Sequence, residues 1–242
     1  MTVDDLITDK NKELFERVNR QYPVQLVKTN SDTWGSHIED GKTIITYCDT
    51  QYPECCFVHE LLHIDTQIKG YKRLRTGISA FDQTEFFGTL MSALDNELQH
   101  HKMFPEYEKL QYPKEKFYID SDTSTEAYLR SYVTKKAIEF RPTFLRYLTL
   151  IAPGGSMSDE TKSELKENFK SLNDNSYRAY FDHIDKQFDE WTKTTSYNAE
   201  PYLKEMFITI SNGEFTWFGY GTSEEFPSNG FFVDKEFDIK QS

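Results

Sequence analysis

The segment from Pro53 to Gly70 constrains the fold of this chain more than any other. Proline suits the first turn of a helix, where its missing N–H costs little, and glycine suits the position just past a helix end. The spacing between them predicts a helix from about Glu54 to Lys69. Ahead of it, Val24 to Val27 and Thr43 to Tyr47 read as strands, being short, β-branched or aromatic and bounded by turn residues. Glu39-Asp40-Gly41-Lys42 reads as a turn leading into the second strand.

Long helical stretches surround these strands. Leu6, Ile7, Leu14, Phe15 and Val18 recur at helical spacing and predict a helix over Asp4 to Arg20. Phe86, Phe87, Leu90, Leu94 and Leu98 predict another from Asp82 to Phe104, ending before Pro105. Thr123 and Glu126 fit a capping box that opens a helix toward Leu150, with Pro142 as a kink or break and Pro153-Gly154-Gly155 as its end. Further helices are expected over Ser158 to Leu172, Asp174 to Thr192 and Tyr197 to Ile210, then short strands or irregular cover from Glu214 to Val233. The expected fold class is α+β, mainly helical, with a small sheet. Residues 1–120 form the expected metal-binding domain and 121–242 a helical region with a short β or irregular tail.

With 242 residues the chain can bury a sizeable core, and its 19 Phe and 15 Tyr can fill one. The formal net charge of −12 repels polyanions, so no nucleic-acid partner is expected. Lys69, Lys72, Arg73 and Arg75 make a small basic cluster, read as a solvated turn. No stretch reaches the roughly 18 apolar residues of a membrane span, and the N-terminus lacks a secretory pattern, so no membrane partner is expected. Three cysteines, Cys48, Cys55 and Cys56, with two of them adjacent, do not form a disulfide framework. The expected compartment is the reducing cytoplasm.

His59-Glu60-Leu61-Leu62-His63 carries the chemistry. On a helix, residues four apart share a face, so both imidazoles can reach one ion. Glu60 is displaced around the helix and can take a proton from a water held by that ion without being a ligand. A zinc site needs at least one more protein ligand. The run Asp95-Asn96-Glu97-Leu98-Gln99-His100-His101 offers His100 or Glu97, with His101 as a further possibility, since imidazole and carboxylate both suit zinc. Gln67 and Cys56 also fall on the motif face, Cys56 either near the metal as a soft ligand or inhibitory thiolate or as a buried structural thiol. Asp65 falls off it and reads as a solvated charge. His37 and His183 are isolated in sequence and read as structural or surface residues.

The motif resembles that of the zincin metallopeptidases, with His59 and His63 matching the two ligands and Glu60 the general base. The order of helix, strands, motif helix and second helix looks like the compact domain of the ImmA/IrrE-type metallopeptidases. Asn96-Glu97 looks like the pair with which gluzincins present a ligand Glu. It departs from that pattern at position 101, which is His rather than Asp, and the interval from His63 to Glu97 is 34 positions, longer than is usual there. The resemblance covers about residues 1–120.

It implies Zn2+ as cofactor and hydrolysis of a peptide bond in a protein or peptide substrate. It also implies that the strand Thr43 to Tyr47 lies beside the metal with an edge open to an extended peptide. Tyr107 and Tyr112 follow the ligand helix and are candidates to stabilise an oxyanion, with packing as the alternative role. The competing expectation is a regulatory protein whose metallopeptidase-like half keeps a zinc site while the helical half binds a partner protein. The oligomeric state stays open.

Overall fold

The computed structural model describes residues 1–73, 76–79, 85–118, 124–134, 139–210 and 215–219, with backbone alone at 76–79, 85–87, 124 and 215–219. The fold is α+β and mainly helical, with a small three-stranded sheet. Contacts group the chain into two units that interleave along the sequence. The first takes Met1–Tyr71, Gln99–Tyr132 and Ala152–Lys162, and the second Lys72–Leu98, Val133–Ile151 and Ser163–Ser242. The sequence expectation divided the chain once, near residue 120.

In the first unit, helix α1 (Lys12–Gln21) starts later than its apolar spacing suggests. The reason is Asn11, fully buried, whose amide donates to the Leu6 carbonyl at 2.9 Å and holds the preceding residues in turns. Strands β1 (Val24–Lys28), β2 (Gly35–Glu39) and β3 (Lys42–Tyr47) then form a sheet in the order β1-β3-β2. β1 runs parallel to β3 and β2 antiparallel. Asp40 (φ 48°) and Gly41 (φ 72°) make the two-residue hairpin loop, whose positive φ values match the strand twist. That loop sets Glu39 opposite Lys42 and Ser36 opposite Ile45.

β2 was not expected as a strand, because Gly-Ser-His-Ile-Glu holds a single large apolar residue and no alternation. It exists because β3 provides a template. β3, expected to offer a free edge, is instead the central strand, with both edges paired. Its alternation is clear, Thr43, Ile45 and Tyr47 being buried on one face.

Helix α2 (Pro53–Ile68) has proline in its first turn. It ends in a Schellman arrangement: Gly70 (φ 89°) donates to the Gln67 carbonyl at 2.9 Å and Tyr71 to that of Thr66 at 3.2 Å. Phe57, Val58, Leu61, Leu62 and Ile64 pack with Leu14, Val18, Ile45, Met103 and Tyr107 into one core. Asp65 is not a solvated charge. It is 1% exposed and accepts from Arg17 at 2.6 and 3.0 Å and from Lys69 at 2.8 Å. Off the motif face means toward α1, and the ion pair ties the two helices there.

Strand β4 (Thr76–Ser79) precedes helix α3 (Glu85–Lys109), whose backbone continues through Pro105 where a stop was expected. Pro105 is exposed, on the outer side of the helix, while buried Met103 and Tyr107 hold it from the inner side. The expected start at Asp82 lies outside the described residues, as does Thr123 of the capping box. Glu126 pairs with Arg130 at 2.8 Å. Helix α4 (Ser124–Val133) and helix α5 (Phe140–Ile151) replace one long helix, and Pro142 sits in the first turn of α5.

In the second unit, helices α6 (Asp159–Lys170, from Ser163 onward), α7 (Arg178–Lys193) and α8 (Glu200–Ile210) follow the expected order. α7 begins late because Asn173, Asp174 and Asn175 all take positive φ. Tyr147 stacks on Phe181 with ring centroids 4.0 Å apart, and Asp185 accepts from Tyr147, Lys166 and Lys170 at 2.7 to 2.9 Å. β5 (Phe215–Gly219) pairs antiparallel with β4, so this part of the tail is a strand. The rest of the tail, from residue 220, lies outside the described residues. No helix among the described residues is long and apolar enough to cross a membrane.

Candidate metal centre

The two motif histidines project from one face of α2, as their four-residue spacing requires. Their Nε2 atoms lie 3.2 Å apart and their ring centroids 4.9 Å. Helix α3 adds His100, whose ring centroid is 5.0 Å from that of His59 and 5.1 Å from that of His63. The three rings form a nearly equilateral triangle, with one potential ligand atom from each, all within 4.8 Å of one another. Zinc–nitrogen bonds of about 2.0–2.1 Å in a tetrahedron place donor atoms about 3.3–3.4 Å apart, close to the His59–His63 separation. Three imidazoles are a donor set that suits zinc, copper, iron or nickel. The residues present therefore fit a divalent transition-metal ion.

Of the candidates for a third ligand, the fold brings His100 to the pair. Glu97 and His101 contribute no atom to the cluster. His100 is 2% exposed, on a helix face that continues through Met103 and Tyr107 into the core, whereas Glu97 is only half-buried.

Burial dominates the electrostatics. Desolvation, followed by the neighbouring imidazoles His63 and His100, holds the His59 pKa well below its ordinary value, with only the backbone carbonyl of Phe117 acting the other way. His59 Nδ1 is buried and makes no hydrogen bond of ordinary geometry. His63 is pushed down to about 3, by burial first and His100 second. These two rings are neutral and carry lone pairs, the state a metal ligand requires.

Glu60, 7% exposed, is displaced the other way. Burial raises it to about 7, against the opposing effects of the Ser36 hydroxyl and His100. The Ser36 hydroxyl, on β2, donates to Glu60 Oε2 at 2.8 Å. Glu60 and His59 line a cleft of about 240 Å³ whose walls include Trp34, Cys56, Phe117 and Tyr118. Glu60 is thus next to His59 on the motif helix, outside the donor set, and among the residues that line the cleft.

A second layer orients the rings. Gln99 Oε1 lies 3.2 Å from His63 Nδ1, and the Tyr118 hydroxyl 2.5 Å from His100 Nδ1. The Phe117 ring packs 4.7 Å from that of His59. Ser36 and Tyr118 carried no signal in the sequence, the first because its strand was not foreseen. Gln99 could have been found from its place beside His100.

Other expected residues fall elsewhere. Cys56 is buried and lines the cleft without joining the donor cluster. Gln67 is exposed. Tyr107 is fully buried in the core, and the Tyr112 hydroxyl bonds Glu54 and Asn11, so both take the packing role. His37 is exposed, 3.8 Å from Glu39, and His183 lies half-buried in the second unit. The basic cluster is partly neutralised, Lys69 pairing with Asp65 and Arg73 with Asp95. Comparison of the chain with protein-family models, with curated proteins and with solved structures gives no match.

Proposed function

We propose that this protein is a zinc-dependent metallopeptidase of the zincin type. His59, His63 and His100 would hold the ion and Glu60 would act as general base. The observation that carries the reading is the Glu60 carboxyl group. Its residue is buried, follows His59 directly on the motif helix without joining the donor set, and is one of those that line the cleft. When bound, the ion supplies Lewis acidity, polarising a carbonyl and acidifying nearby water.

The residues supply the rest. A carboxyl group raised to about 7 can take a proton from water and return it to a leaving amine near neutral pH. Ser36 fixes the carboxylate, leaving its other oxygen for that exchange. Strand β2 is the sheet edge on the α2 side and has no strand partner on its outer side among the described residues. An extended peptide can add there through main-chain hydrogen bonds, which places a scissile bond near Glu60.

The test is zinc content per chain together with cleavage of casein or a peptide library, for the wild type and Glu60→Gln. The expected result is one zinc per chain in both. Cleavage by the variant should fall by about 10²–10⁴-fold, the usual contribution of a general base. Wild-type protein that carries stoichiometric zinc but cleaves nothing, while binding a partner protein, would favour a regulatory role instead.

A further inference from the structure

We propose that Tyr118 is the positioning residue of the third imidazole: its hydroxyl oxygen accepts the Nδ1 proton of His100 and so fixes that ring with the Nε2 lone pair free for the metal. This rests on the metal-centre reading and adds to it a residue that touches no ion.

A neutral imidazole has one N–H and one lone pair, so a partner at one nitrogen decides what the other can do. The His100 Nδ1 is committed to Tyr118 by a 2.5 Å contact. If the phenol donated, the proton would sit on Nε2 and the ring could not be a ligand through that atom. If Nδ1–H donates, the lone pair is left at Nε2. A ligand role for His100 beside His59 and His63 requires the second arrangement, because Nδ1 is taken up by Tyr118. His63 follows the same logic: with its Nδ1–H donating to the Gln99 side-chain oxygen, the lone pair is left at Nε2.

Ring packing supports the same role. The Tyr118 ring meets that of His100 edge-on, with centroids 4.8 Å apart and an 85° interplanar angle, and Phe117 packs next to it, 5.5 Å from His100 and 5.1 Å from Tyr118. His100 is therefore fixed in orientation as well as tautomer. Tyr118 also lines the cleft, so Tyr118→Phe keeps the aromatic wall and removes the hydroxyl alone.

The experiment measures zinc dissociation constants by competition with a chromophoric chelator, and resolves the imidazole N–H signals of the zinc-loaded protein by ¹⁵N NMR. In the wild type, His100 is expected to show a protected Nδ1–H. In Tyr118→Phe that proton should exchange fast, and zinc affinity should drop about 10–100-fold, as outer-layer losses at metal sites do. Tyr112→Phe, which removes a phenol hydroxyl bonded to Glu54 instead, should stay within about twofold. Equal zinc affinity in the wild type and Tyr118→Phe, with an unchanged Nδ1–H signal, would overturn the proposal and leave the metal centre standing. A wild type that binds no zinc would overturn both. If the variant fails to fold, the wild-type spectrum decides, because an unprotonated His100 Nδ1 contradicts the assignment.

Discussion

Glu60 gives a stability prediction that is independent of turnover. In metal-free protein its carboxyl group is raised from 4.5 to about 7, chiefly by burial. At about 1.4 kcal/mol per pKa unit, ionising it in the folded state costs about 3 kcal/mol. Below pH 4.5 the group is protonated whether the chain is folded or not, and there is no penalty. As pH rises from 4.5 to 7 the unfolded chain ionises first, the folded chain still holds its proton, and stability falls. Above pH 7 the full cost is present.

Glutamine has nearly the same shape, accepts the Ser36 hydrogen bond and cannot ionise. Glu60→Gln should therefore match the wild type near pH 4 and exceed it by about 3 kcal/mol at pH 8. Urea unfolding at both pH values, with a chelator present, measures the difference. A stability difference that is the same at pH 4 and pH 8 would refute the idea that burial of this carboxyl group is uncompensated.

Two further outcomes follow from the geometry. His100→Ala should lose stoichiometric zinc while Glu97→Gln retains it, as read by metal content after dialysis, because only the histidine joins the cluster. Gly154→Ala should lower stability by about 2–3 kcal/mol and Gly155→Ala by about 1 kcal/mol, measured by denaturant unfolding. Both glycines have φ near +77° (78° and 76°), but a Cβ on Gly154 would sit 2.9 Å from the Lys114 carbonyl and from the Phe104 ring, while one on Gly155 meets nothing within 4 Å.

What could be read from the sequence was what local geometry fixes. Pro53 and Gly70 bound the motif helix, the four-residue interval faces His59 and His63 together, and Asp40-Gly41 turns the chain. Each depends on a few consecutive residues, and composition was enough to give a mainly helical α+β fold. Tertiary packing decided the rest. His100 was chosen over Glu97 by which face of α3 meets the core. Ser36 reached Glu60 through a strand with no pattern of its own, paired only because β3 lies beside it. Asp65, polar and off the metal face, was buried by Arg17 of another helix, and α3 continued past Pro105 because its inner face was already anchored. A periodic pattern tells which side chains share a face, but what that face meets depends on residues far away along the chain, and in this protein those distant contacts set the third imidazole and the environment of Glu60.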